Sequence, residues 1–158
     1  MRIFENVDEF EKVVGEELGL TEWRTITQED IDAFAKVTND FQWIHVDTER
    51  AASGPFGTTL VHGYMTLSLV SGFMFDTYKV NGLSMGVNYG SNKVRYPAPV
   101  LVGSRVRGRV KLVALDREEN WAQSTIQVTV EQEYNGEMKK PGCVAEVVSR
   151  LYPAPAAS

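Results

Sequence analysis

The sequence predicts an α+β domain in which an antiparallel sheet wraps a long, buried central helix. Three features point there: a helical early half, a run from Leu60 to Phe75 that is apolar nearly all round, and long alternating β-branched runs beyond residue 83. With 158 residues, 43% of them hydrophobic, the chain can bury one core without disulfides or a structural metal, and the domain is placed at 1–152.

From Val7 to Leu18 the residues Phe10, Val13, Val14 and Leu18 recur at helical spacing, and Gly19 sits where helices stop, so a first amphipathic helix is expected there. Thr27 and Asp30 form a Thr-x-x-Asp capping box for a second helix, with Ile31, Phe34, Ala35 and Val37 on or near one face. That helix should end near Asn39, because Asn tolerates the left-handed conformation that closes helices. Asp40 to His45 would then lie in an exposed loop. Asp47 reads as the N-cap of a short helix through Ala51 and Ala52, followed by a turn from Ser53 to Gly57. The Leu60–Phe75 run falls short of the roughly 20 apolar residues of a membrane span and is interrupted by His62, Thr66, Ser68 and Ser71. It is read as the core helix.

Four strands follow: Met85 to Tyr96, Ser104 to Leu115, Trp121 to Tyr134 and Val144 to Tyr152. Pro97-Ala-Pro99, Asp116 to Asn120 and Asn135-Gly136 connect them, the last a strong hairpin cue. Residues 153–158 read as a frayed tail.

A net charge of −5 and a pI near 5.1 argue against a nucleic-acid partner, which would demand a dominant positive field. Cys143 is the single cysteine, so neither an intrachain disulfide nor a cysteine zinc cluster can form, and two histidines in all argue against a histidine-based metal site. The acidic N-terminus lacks the basic start and apolar run of a signal peptide, so a cytoplasmic protein with no membrane partner is expected.

Asp40 and His45 stand five apart around a helix-ending loop, a spacing that can bring a carboxylate and an imidazole to one point of a cleft and hold a water between them. Spacing alone serves a helix-capping Asp and a surface His equally well. The sequence His62-Gly63 opening the core helix adds a ready oxyanion site, since the Gly63 N–H points outward with the positive end of the helix dipole. His62 is read as a structural histidine, and Thr66 and Ser68 as bonded to the preceding turn's carbonyls. For Ser71 that role and a place in the site are both open.

The segment Phe34-Ala-Lys-Val-Thr-Asn-Asp40-Phe-Gln-Trp-Ile-His45 with Ala51 following, joined by Val61-His62-Gly63 and Ser71, resembles the MaoC-like (R)-specific enoyl-CoA hydratases, or type-2 hydratases. The likeness covers most of residues 22–152, and the Asp-x-Gln-Trp-Ile-His variant is similar to the nodulation-protein-N-like branch. Two departures stand out: Asn39 replaces the usual Gly, and Gln42-Trp43 the usual Asn-Pro.

The resemblance implies a single hot-dog fold and a hydro-lyase that converts trans-2-enoyl-CoA to (R)-3-hydroxyacyl-CoA and back. It implies an acyl-CoA substrate, a homodimer, and neither metal nor redox cofactor. Asp40 and His45 would bind and polarise the water, and the Gly63 N–H would receive the thioester oxygen. Hydration needs a base for water, an acid for Cα and stabilisation of the enolate between them; which of Asp40 and His45 is base is not decided by sequence. Ser71 matches a serine near the catalytic Asp in some members. Trp43, Asn88, Asn92, Lys93 and Arg95 are the expected substrate contacts, the asparagines lining the channel and the two cations meeting coenzyme A phosphates. Arg105, Arg107, Arg109 and Lys111 share one strand face, which is either a solvated surface or part of that phosphate patch. Two rivals share the ligand: a hot-dog thioesterase, which attacks the carbonyl carbon instead of Cβ, and a non-catalytic acyl-CoA or acyl-carrier binding subunit.

Overall fold

The structure is a computed structural model that describes residues 1–155. Its elements run β1 (Arg2–Phe4), α1 (Val7–Glu11), β2 (Glu17–Leu20), β3 (Arg24–Thr25), α2 (Gln28–Thr38), α3 (Trp43–Val46), α4 (Thr48–Ala52), α5 (Gly63–Thr77), β4 (Tyr78–Val80), β5 (Leu83–Arg95), β6 (Arg105–Arg117), β7 (Ala122–Tyr134) and β8 (Glu137–Pro153). The main sheet is antiparallel in the order β2-β6-β7-β8-β5, with β3 also paired to β6, while β1 and β4 form a small parallel pair. Among the described residues no helix is long and apolar enough to cross a membrane.

Alternation along the strands supplies the core. Even-numbered residues of β7 from Ala122 to Val130 are buried, and the same face of β6 contributes Val106, Val110 and Leu112. Against this face lies α5, which touches β2, β6, β7 and β8 and buries Met65, Val70 and Phe73. Gly108 makes the approach possible: a Cβ there would stand 2.5 Å from Phe73 Cβ.

Several local signals act as expected. Thr27 and Asp30 close both hydrogen bonds of the capping box, and Asn39 ends α2 in the left-handed region at φ 58°. Asp47 caps α4 by accepting from the Arg50 N–H. Asn135 and Gly136 both have positive φ, the signature of a tight hairpin turn between β7 and β8.

Other expectations are corrected. The first helix ends at Glu11, because Gly15 turns at φ +91° and donates to Leu112 O, which leads residues 17–20 into pairing with β6; Leu18 is thus buried from a strand. The core helix starts at Gly63 and is not buried all round: Tyr64 and Phe75 are each 75% exposed on a side that no described element covers. Strand β8 starts at Glu137 rather than Val144, since the hairpin feeds straight into pairing and Pro141-Gly142 is carried across a register irregularity. Pro153 closes that strand and Ala154 donates to Gly82 O; residues 156–158 of the expected tail lie outside the described residues. Strand β5, whose Asn88 and Asn92 were expected to line the channel, is the exposed edge of the sheet.

Candidate active site

The left-handed turn at Asn39 delivers Asp40. A glycine would adopt this conformation without strain and Asn is the next most tolerant residue, so the departure from the family pattern preserves the backbone path. The Asp40 carboxylate is half exposed; its Oδ1 accepts from the Gln42 N–H at 3.3 Å, and its Oδ2 stands 3.9 Å from His62 Nε2.

His45 sits on α3, buried, where an exposed loop was expected. Trp43 occupies the first helical position, the one most tolerant of proline, so Gln42-Trp43 supports the same turn as Asn-Pro. The Trp43 ring is taken up by Arg50, 4.2 Å above it, and by the backbone at Gly54. Three hydrogen bonds hold the His45 segment: Leu60 N–H to Ile44 O (2.9 Å), His45 Nδ1 to Leu60 O (2.8 Å), and Gln28 Nε2 to His45 O (2.8 Å). Gln28 is itself fixed, receiving the Thr59 hydroxyl at 2.6 Å and donating to Asp32.

A carbonyl only accepts, so the nitrogen facing Leu60 O carries a proton, and neutral His45 presents Nε2 as a lone pair. Burial holds this imidazole below the usual histidine value; the Leu60 hydrogen bond opposes the shift, His62 adds to it and the Asp40 charge opposes it.

His62, the residue just before α5, is buried. It donates from Nε2 to the main-chain oxygen of Asp40 at 3.0 Å and stacks on His45 with ring centroids 3.8 Å apart and planes 21° from parallel. Its partners are 22 and 17 residues away, so the structural role expected for it rests on contacts remote in sequence. Gly63 follows at the first position of α5, exposed, and a Cβ there would meet the Tyr96 ring at 3.5 Å. Donor atoms of Asp40, His45 and His62 lie within 4.8 Å of one another. The composition would suit a cation, but the two rings stack instead of converging, and one nitrogen of each already faces a carbonyl.

Ser71 lies two turns along α5, about 12 Å of axial rise beyond Gly63. It lines a cavity of about 430 Å³ with Met74, Phe75, Leu83, Asn88 and Leu151. Thus Ser71 and Asn88 share a groove, whereas Asn92, Lys93 and Arg95 are exposed further along β5 and outside it. A second cavity, about 520 Å³, flanks the other side of α5 beside Leu20–Arg24 and contains none of the expected site residues.

The arginine stripe is neutralised. Arg105 faces Glu133 (2.6 Å), Arg107 and Arg109 share Glu131 (2.8 Å each), and Arg109 also reaches Glu17 (2.7 Å). Thr66 and Ser68 bond the carbonyls four residues back, as expected. Gln28, Thr59, Leu60 and Tyr96 were not anticipated; their partners are remote in sequence, and no local spacing marks them.

Known proteins resemble this chain in sequence and in fold. Residues 9–138 match the MaoC like domain family. The 3-hydroxyacyl-thioester dehydratase Z of Mycobacterium tuberculosis is 50% identical over 151 residues, covering 95% of this chain and 98% of that protein. Nodulation protein N of Rhizobium leguminosarum bv. viciae is 48% identical over 123 residues, covering 76% of each. The solved (R)-hydratase from A. caviae involved in PHA biosynthesis superposes with a TM-score of 0.63 at 24% identity, over 85% of this chain and 95% of that one, and shows the hot-dog fold. With a family match across most of its length and a relative that is half identical end to end, this chain belongs to the MaoC-like dehydratase family and is a hot-dog hydro-lyase.

Proposed function

We propose that the chain interconverts trans-2-enoyl and (R)-3-hydroxyacyl thioesters by adding and removing water between Asp40 and His45. The observation that carries this reading is the buried His45, with Nδ1 committed to Leu60 O, which leaves Nε2 as the free ring nitrogen, and with its ring within 4.8 Å of an Asp40 carboxylate oxygen. Asp40 accepts one O–H of the water and orients it. His45 Nε2 takes the other proton as the water oxygen bonds to Cβ, and the enolate charge on the thioester oxygen is received by the exposed Gly63 N–H at the positive end of α5. The imidazolium then returns its proton to Cα on the same face, which restores neutral His45.

The groove lined by Ser71 and Asn88 takes the acyl chain, and its mostly apolar walls suit that role. Trp43, clamped by Arg50, shapes the turn rather than touching the acyl group. Lys93 and Arg95 form no ion pair among the described residues and lie on the strand leading to Tyr96 and Gly63, so they are the cations available for coenzyme A phosphates, with Asn92 beside them. A second copy covers the edge strand β5, where Met85 and Tyr89 are more than half exposed, giving a homodimer.

The test follows loss of enoyl absorbance with short and medium trans-2-enoyl-CoA, with chiral analysis of the product, for wild type and folded Asp40→Asn and His45→Gln. The expected outcome is an (R)-3-hydroxyacyl product and loss of rate by orders of magnitude in both variants. Full activity in either variant refutes the assigned roles. Hydrolysis of saturated acyl-CoA without hydration would identify a thioesterase, and binding without turnover a carrier subunit.

A further inference from the structure

We propose that His62 is a positioning residue of this site, tying down the main chain of Asp40 and, through its ring face, holding the His45 imidazole in place. The inference rests on the hydration reading for its catalytic consequence, but its physical content does not.

Four observations carry it. His62 is 2% exposed and held on its outer side by the tilted Phe34 ring, 5.1 Å between centroids, so it has little freedom to swing away. Its Nε2 faces the Asp40 carbonyl at 3.0 Å, which fixes that nitrogen as the protonated one and anchors the residue carrying the carboxylate. Its ring lies on His45 at 3.8 Å. Its Nδ1 is buried with no hydrogen-bond partner among the described residues, so the bond from Nε2 to Asp40 O is the one hydrogen bond that orients the ring.

The groups bearing on His45 are few. Asp40 and His62 are the titratable ones, while Gln28 from α2 and the Leu60 carbonyl make its remaining polar contacts and are neutral. Of the two, only His62 can be replaced without touching the carboxylate that orients the water. Because His62 is also the covalent neighbour of Gly63, one side chain registers Asp40, His45 and the oxyanion N–H against one another.

The chain has two histidines, so once His62 is replaced the remaining imidazole Cε1–H resonance is that of His45. In His62→Phe the ring contact and burial persist without the imidazole that disfavours charge on His45, so His45 should titrate at higher pH than in the wild-type protein, and the acid limb of kcat/KM should move with it. Loss of the Asp40 anchor should lower kcat by about a hundredfold. His62→Gln keeps an N–H donor at the position of Nε2 and should recover about tenfold of that loss, the worth of one hydrogen bond. An unmoved His45 curve in folded His62→Phe, or no recovery of kcat in His62→Gln, overturns the proposal. The titration needs no substrate: a His45 curve that moves in His62→Phe, in a protein inactive on every enoyl thioester, would sink the hydration reading while supporting the contact between the rings.

Discussion

Replacing Gln28 by alanine removes three side-chain hydrogen bonds, two of which tie α2 to Thr59 and to the His45 carbonyl. The Thr59 hydroxyl, 1% exposed, loses its acceptor, and a buried orphaned donor costs about 1–3 kcal/mol. The His45 carbonyl loses a 2.8 Å bond worth about 1 kcal/mol net, and the exposed link to Asp32 adds about 0.5 kcal/mol at most. The expected destabilisation is about 2–4 kcal/mol, read as a lower urea midpoint at constant slope. For a chain of this size it corresponds to a fall in Tm of roughly 5–15 °C. Thr59→Val removes the same hydroxyl from the other side, so the double variant should be more stable than the sum of the singles predicts, by on the order of 1 kcal/mol. In the folded population kcat should fall more than KM rises, because the tether fixes the base and not the acyl chain. A change below about 0.5 kcal/mol, or strict additivity with Thr59→Val, would show that the amide is not what holds α3 in place.

Three further outcomes follow. Since burial lowers the His45 pKa, the unfolded chain binds a proton there that the folded chain does not; this contribution to stability is complete above the ordinary value near 6.5 and is lost as pH falls below it toward the folded value, and His45→Gln should abolish that part of the pH dependence in urea melts. Gly108→Ala forces a methyl to within 2.5 Å of Phe73 Cβ and should cost about 1–3 kcal/mol, visible in thermal melts; an unchanged Tm would mean that α5 can lift off the sheet freely. Arg107→Ala removes a cation already balanced by Glu131 and should leave KM for acyl-CoA unchanged, whereas Lys93→Glu combined with Arg95→Glu should raise KM for acyl-CoA but not for the matching pantetheine thioester; the opposite pattern would move the phosphate site to β6.

The elements readable without a structure are those whose physics closes within a few residues. The Thr27/Asp30 box spans three residues, Asn39 is a single left-handed position, and Asn135-Gly136 sets a two-residue turn. Asp40 and His45 were legible for another reason, since their spacing matches a family pattern together with Val61-His62-Gly63; alone it did not separate a catalytic pair from a cap and a surface histidine. Gly15 was legible as a residue but not as a helix stop, because only pairing of residues 17–20 with β6 shows which turn it makes.

By itself, then, the sequence determined the α+β class, the run of β5 to β8, the central helix and the motif that names the family. Tertiary structure alone decided that His45 is buried, that His62 is its stacking partner, that Gln28 and the Leu60 carbonyl hold it, and that the arginines of β6 are already paired. The reason is range. Capping and turn signals act between neighbours in sequence, whereas the His45–Leu60, His45–His62, Gln28–His45 and Arg107–Glu131 contacts join residues 15 or more positions apart, and their geometry exists only once helix and sheet have packed.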